Sequence, residues 1–124
     1  ALKDGNWVLS DRFELSSFSY QGGGRKIDQD VIQVLSNFCV GDLQPDLIIF
    51  LDVSPEMGLK RAKARGKLDR IEQESIDFFI DVYNAYHVYL KKYTNVVMID
   101  ASLPLSVVQR LIREELYAAI STYV

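Results

Sequence analysis

Residues 11–21 combine an acid, a base and several hydrogen-bonding side chains. The Arg12 guanidinium is planar and can donate to two phosphate oxygens at once, and Asp11 beside it can hold that group or bind the water shell of a metal. Polar side chains then recur at helical spacing, at Ser16, Ser17, Tyr20 and Gln21. Groups of these types can recognise a nucleobase or a sugar. The alternative is a surface ion pair followed by a polar helix face.

A second concentration of charge lies in residues 60–70. Six of the chain's 14 lysines and arginines are found here, at Lys60, Arg61, Lys63, Arg65, Lys67 and Arg70. A basic helix end followed by Gly66 predicts a flap that closes over a polyphosphate, where an arginine can neutralise the charge that develops during phosphoryl transfer. Two alternatives explain the same residues: a solvated charged face, or a surface that contacts nucleic acid.

A third candidate lies at residues 100–103. The backbone of Asp100, Ala101 and Ser102 can contact a nucleotide base, or Ser102 can serve as the N-cap of the last helix. The aromatic stripe at residues 76–93 indicates core packing or a surface for a partner.

The elements that position these residues alternate between strand and helix. Apolar runs predict strands at 6–10, 47–53 and 96–100, and helical periodicity predicts helices at 13–20, 28–40, 54–65, 76–90 and 108–120. The first helix is expected to end at the glycines of residues 22–24. This alternation indicates an α/β fold with a parallel sheet, whose ligands sit at the carboxyl ends of the strands. Asp11, Arg12, Asp52 and Asp100 follow those ends.

Composition excludes several classes of function. The net charge of −3 and the pI near 5.1 argue against a nucleic-acid polymer as partner. The longest apolar run, residues 47–51, is too short to span a membrane. Its single cysteine cannot form an internal disulfide, which favours a reducing compartment such as the cytoplasm.

Three segments together resemble the bacterial thymidylate kinase family: DRFELSSFSYQGGGRKID, PDLIIFLDVSPEMGLKRAKARGKLDRIE and IDASLPLSVV. The resemblance extends over essentially the whole chain. It implies transfer of the ATP γ-phosphoryl group to thymidine monophosphate with Mg²⁺, and a homodimer. It also implies the three-layer parallel sheet of the P-loop nucleoside monophosphate kinases.

The resemblance also implies residue roles. Arg12 would bind the acceptor phosphate, with Asp11 positioning it. Tyr20 would pack under the deoxyribose, and Ser17 and Gln21 would lie along the thymine, near Ser16. Residues 60–74 would form the lid, which carries Arg61, Arg65 and Arg70. The catalytic arginine would be Arg65 or Arg70, although Arg65 would alternatively stack on adenine. Residues Asp100, Ala101, Ser102 and Leu103 would line the adenine; no residue is assigned to a metal.

One family motif is missing. No Gly-x-x-x-x-Gly-Lys-Ser/Thr occurs in the sequence, so nothing would hold the donor phosphates. Residues 1–124 are therefore expected to be the C-terminal part of a single domain, with an incomplete sheet that lacks its first two strands. Alone they should be inactive, and they should be poorly stable, paired through another chain or rearranged. A deoxynucleoside kinase fragment and a non-catalytic module that binds nucleotides or anions remain alternatives.

Overall fold

The computed structural model describes residues 1–122, which form a two-stranded sheet with helices packed against it; Leu51 and Met98 of the strands remain about half exposed. In chain order the elements are a 3₁₀ turn at Leu2–Asp4, α1 at Glu14–Ser17, a π-helical segment at Phe18–Gly24 that continues α1, α2 at Gln29–Val40, β1 at Ile48–Asp52, α3 at Pro55–Arg65, α4 at Ile76–Leu90, β2 at Val96–Asp100 and α5 at Leu105–Ser121. The predicted α/β class is confirmed.

The sheet consists of β1 and β2, which run parallel. Ile48 pairs with Val96, and the register continues to Asp52 opposite Asp100. Both strands were predicted from continuous apolar runs, which are typical of parallel strands covered on their faces. The two acidic residues lie side by side at the carboxyl ends, as the sequence predicts.

The strand predicted at residues 6–10 is wrong. This segment has no regular secondary structure, and Trp7 and Leu9 are 68% and 95% exposed. A strand exists only when a neighbour satisfies its backbone hydrogen bonds. Within residues 1–122 the sheet contains β1 and β2 alone, so no neighbouring strand is available to residues 6–10.

The helix predicted at 13–20 starts at Glu14 and passes through the glycines instead of ending before them. The π-helical segment reaches Gly24, and the amide of Arg25 donates to the carbonyl of Tyr20 at 2.9 Å. Gly23 and Gly24 lie against α4, where a Cβ atom would come within 2.4 Å of Ala85 and 2.5 Å of Phe78. The glycines therefore permit close helix packing, and they do not act as a stop signal here.

Side chains at the helix starts explain where the helices begin. Asp28, Ser54 and Ser75 each accept a hydrogen bond from a backbone amide of the first turn, at 2.8, 3.3 and 3.3 Å. The predicted N-cap role of Ser102 is wrong, because α5 begins after Pro104 and the Ser102 hydroxyl donates to the Asp100 carboxylate.

The core lies where α4 meets the π-helical segment, α2 and the sheet. Its buried cluster comprises Leu15, Phe18, Ile32, Tyr89 and Leu90, with Phe50 of β1 packed against it. The apolar stripe of α4 thus packs inside the chain. The outer face of α2 is apolar and open to solvent, with Phe38 at 89% exposure. No helix within residues 1–122 is both long and apolar enough to cross a membrane.

Candidate functional site

A cleft of about 220 Å³ opens between the segment around Arg12, helices α3 and α4, and the predicted lid. It is lined by Arg12, Tyr20, Gly58, Leu59, Ala62, Asp69, Ile71, Glu72 and Phe79. Arg12 and the lid residues Asp69, Ile71 and Glu72 are far apart in the sequence, and the fold brings them to one cleft. The predicted lid cations Arg61, Arg65 and Arg70 do not line it.

Arg12 is held by its backbone and by its side chain. Its φ angle is +69°, a left-handed conformation that costs a non-glycine residue on the order of 1–3 kcal/mol. The Ser10 hydroxyl donates to the Arg12 carbonyl at 2.6 Å, which supports this turn. The Arg12 guanidinium carbon lies 5.2 Å from the centroid of the Tyr20 ring. Because the ring takes one face of the guanidinium, the in-plane N–H donors stay available for an anion.

Tyr20 is set by two aromatic residues of α4. Its ring centroid lies 6.2 Å from Phe78 and 6.2 Å from Tyr86, the latter edge to face. The Tyr86 and Ser16 hydroxyls are hydrogen-bonded at 2.7 Å. Burial raises the pKa of Tyr86, while the bond to Ser16 and the charge of Arg12 oppose that rise. The phenol therefore stays neutral at neutral pH.

The remaining predicted residues of this region lie outside the cleft. Ser17 and Gln21 are exposed on the helical surface, and Ser16 is engaged with Tyr86. Asp11 is exposed and, in the described part of the chain, its carboxylate makes no hydrogen bond or ion pair. Of the predicted acceptor residues, Arg12 and Tyr20 are the two that line the cleft.

The predicted lid, residues 60–74, starts within the last two turns of α3, which ends at Arg65 and is capped by Gly66 with a φ of +112°. Glu72 organises it: its carboxylate accepts from the Asp69 amide at 2.9 Å, and its own amide donates to the Asp69 carboxylate at 2.7 Å. Arg65 forms an ion pair with the same Glu72 carboxylate. Arg70 is exposed and makes no hydrogen bond or ion pair within residues 1–122. In this arrangement the Arg65 guanidinium is paired with Glu72, whereas the Arg70 guanidinium is available to bind a ligand.

Arg61 and the segment after β2 form a second group. Arg61 donates to the carbonyls of Ala101 at 2.6 Å and Ser102 at 3.1 Å. The Asp100 carboxylate accepts from the Ser102 hydroxyl and amide, which lowers the pKa of Asp100, and Arg61 adds to this effect. Leu103 completes the segment and is partly exposed. Arg61 therefore fixes the backbone of residues 100–103.

Sequence reasoning missed several residues of the cleft. Gly58, Leu59 and Ala62 come from α3, and Phe79 comes from α4. It also missed Tyr86, which the sequence places in an aromatic stripe of undecided role. The available signal was its hydroxyl, since a tyrosine in an apolar stripe needs a hydrogen-bond partner.

Comparison with known proteins gives one family. The thymidylate kinase family model matches residues 1–112. The chain is 56% identical over 109 residues to the thymidylate kinase of Legionella pneumophila strain Corby, and 55% identical over 109 residues to that of strain Paris. Each match covers 88% of this chain and 51% of the relative, so the chain spans about half the length of these curated relatives. The family match over most of its residues shows that the chain belongs to the thymidylate kinase family.

Proposed function

We propose that the protein carrying this chain transfers the γ-phosphoryl group of ATP to thymidine monophosphate, giving thymidine diphosphate. The observation that carries this proposal is the cleft shared by Arg12 and the lid residues Asp69, Ile71 and Glu72. The Arg12 guanidinium suits a monophosphate there, and the lid arginines, which do not line the cleft, must move towards it to reach a polyphosphate. The family match supports the same reaction.

Arg12 binds the acceptor phosphate. Its stacking on Tyr20 fixes the plane of the guanidinium, so that two N–H donors can meet two phosphate oxygens without a search over side-chain rotamers. Tyr20 itself supports the deoxyribose. Ser17 and Gln21 face solvent in this structure. They can contact the thymine only if the base lies along the outer surface of their helical turn. The Ser10 hydroxyl supports the turn that carries Arg12, and the Asp11 carboxylate makes no hydrogen bond or ion pair with it within residues 1–122.

The lid supplies the charge that stabilises the transferring phosphoryl group. Arg65 and Arg70 are the candidates for this role. Arg65 must leave Glu72 before it can reach a phosphate, whereas Arg70 has no partner to leave among residues 1–122. The Arg65–Glu72 pair is exposed on the arginine side, where such pairs contribute little, so exchange of Glu72 for a phosphate is inexpensive.

Arg61 has a different role from its neighbours in the lid. Its guanidinium holds the carbonyls of Ala101 and Ser102, so it contributes to ATP binding by shaping the segment from Asp100 to Leu103 that lies along the adenine. Loss of Arg61 would remove the hydrogen bonds to the carbonyls of Ala101 and Ser102 and would leave the segment from Asp100 to Leu103 less restrained.

ATP enters as co-substrate and carries its Mg²⁺ with it. Among residues 1–122 no three His, Cys, Asp or Glu side chains are grouped closely enough to hold a metal. The donor phosphates need residues that this chain lacks. We therefore expect the 124-residue segment alone to be inactive.

The rest of the architecture follows the family. Residues 1–124 form the C-terminal part of one kinase domain, with 60–74 as its lid. The complete three-layer sheet adds strands to β1 and β2. We propose a cytoplasmic homodimer, in line with the single cysteine and with the exposed apolar face of α2, where Phe38 stands in solvent.

The test compares Arg12→Ala with Arg113→Ala in the longest natural polypeptide that carries this chain. ADP formation that depends on thymidine monophosphate should fall about 100- to 1,000-fold for Arg12→Ala, the usual loss when one charge-stabilising group is removed. Arg113 lies exposed on α5, and its variant should keep the normal rate.

Three outcomes would contradict the proposal. A normal rate for Arg12→Ala removes the assigned role of the guanidinium. Faster turnover of thymidine than of its monophosphate identifies a deoxynucleoside kinase. Tight nucleotide binding without any phosphoryl transfer identifies a non-catalytic binding module.

A further inference from the structure

The Arg12 guanidinium depends on one aromatic ring for its position. Its carbon lies 5.2 Å from the centroid of Tyr20, and within residues 1–122 its side chain makes no ion pair with a carboxylate. A long arginine side chain on an exposed turn would otherwise sample many rotamers. The orientation of Tyr20 therefore determines where the guanidinium points.

Tyr86 contacts both the Tyr20 ring and the helical turn before it. The two rings meet edge to face at an interplanar angle of 85°, and the Tyr86 hydroxyl is hydrogen-bonded to Ser16, one helical turn before Tyr20. Tyr86 also packs on Phe50 of β1, with ring centroids 5.4 Å apart. Tyr86 thus joins the sheet to the helical turn that carries Tyr20.

We propose that Tyr86 is a positioning residue for the acceptor site: it holds Ser16 and Tyr20 so that the Tyr20 ring seats the guanidinium of Arg12. The inference rests on the proposed function, which gives Arg12 its phosphate. It assigns a role to Tyr86 of α4, which under the proposed function does not contact a substrate and acts through Ser16 and Tyr20.

The contacts of Tyr86 differ from those of Phe78, the other α4 ring beside Tyr20. Phe78 also contacts Tyr20, but it has no hydroxyl and leaves the Ser16 bond to Tyr86 alone. The two contacts of Tyr86 are therefore not duplicated by its neighbour.

Tyr93 offers a matched control. Its hydroxyl also bonds to α1, donating to the Glu14 carboxylate at 3.0 Å, and its ring packs against the core cluster. It does not line the cleft and has no ring contact with Tyr20. Removing the Tyr93 hydroxyl therefore takes one hydrogen bond from α1, as Tyr86→Phe does, without changing the Tyr20 ring on which Arg12 stacks.

The experiment uses the longest natural polypeptide that carries this chain, with Tyr86→Phe, Tyr86→Leu and Tyr93→Phe. Tyr86→Phe should raise KM for thymidine monophosphate roughly three- to tenfold, the effect of one lost hydrogen bond, and Tyr86→Leu should raise it further. KM for ATP should stay unchanged in both, and Tyr93→Phe should leave both constants unchanged. Because Tyr86→Phe keeps the ring, it remains informative if the leucine variant does not fold.

A double-mutant cycle separates positioning from general loss of structure. In an Arg12→Ala background, Tyr86→Phe should change KM for the monophosphate by less than about twofold, since the group that it positions is gone. An equal effect in both backgrounds would overturn the inference, and so would a parallel rise in KM for ATP. An unchanged monophosphate KM in Arg12→Ala would also overturn the inference, whereas the proposed function fails only if the rate of Arg12→Ala is normal as well.

Discussion

Replacing Gly23 with alanine should force the π-helical segment away from α4 and destabilise the protein. The added Cβ atom would lie 2.4 Å from the Cβ of Ala85 and 3.2 Å from the Asp81 carbonyl oxygen. Both atoms are fixed to the backbone of α4, so neither can rotate away. The two helices must separate, because this contact cannot be relieved by a change of rotamer.

The size of the effect follows from the overlap. Carbon atoms pack at about 3.5–4.0 Å, so the contact with Ala85 requires a movement of roughly 1 Å. Overpacking a dense core costs about 1–3 kcal/mol, and a rigid contact belongs at the upper end of that range. The helix preference of alanine over glycine returns up to about 1 kcal/mol. We therefore expect a net loss of about 2 kcal/mol in the free energy of unfolding.

Gly58→Ala is the matched control. Gly58 lies within α3, and its added Cβ would find Val53 as its nearest neighbour at 3.9 Å, an ordinary contact. Here the helix preference acts alone, and stability should rise by about 0.5–1 kcal/mol. Guanidinium chloride titrations of the longest natural polypeptide that carries this chain measure both values. Equal or greater stability of Gly23→Ala than of the natural protein would refute the close-packing argument.

Two further predictions concern pH and the donor side. Burial, followed by the bond to Glu14, raises the pKa of Tyr93 from 10.0 to about 12. The stability that neutral Tyr93 provides is therefore complete below pH 10 and is lost as the pH rises through 12. Tyr93→Phe should make the free energy of unfolding, measured in urea titrations, fall less steeply over this pH range. An unchanged fall would contradict the assignment. Arg61→Ala frees the carbonyls of Ala101 and Ser102, so it should raise KM for ATP roughly three- to tenfold. An equal rise in KM for thymidine monophosphate would show a general effect.

The parts of the fold that could be predicted are those with a local cause. The apolar runs of β1 and β2 and the capping side chains Asp28 and Ser54 carry their information within a few residues. Residues 6–10 have the composition of a strand, but a strand also needs a partner, which the local sequence does not encode. The glycines at 22–24 resemble a helix stop, and their actual role depends on α4, which lies more than fifty residues further along the chain.

The candidate site likewise contains features that the sequence could predict and features that it could not. Arg12 was placed at the end of a strand that does not form, yet it shares a cleft with Asp69, Ile71 and Glu72 of the predicted lid, and the roles predicted for the lid arginines stay predictions. The engagement of Arg61 by backbone carbonyls could not be predicted, since carbonyls are present at every position. Tyr86 was missed because the sequence does not reveal which residue of a continuous aromatic stripe contacts Ser16 and Tyr20.

The backbone of Arg12 has a consequence for any effort to stabilise this protein. Position 12 holds the residue to which we assign phosphate binding, in a conformation that glycine adopts without steric cost. Selection of variants by thermal resistance alone would therefore favour Arg12→Gly, which relaxes the turn and removes the guanidinium in the same step. Under the proposed function, stability and turnover conflict at this residue, so libraries of stabilised variants should keep Arg12.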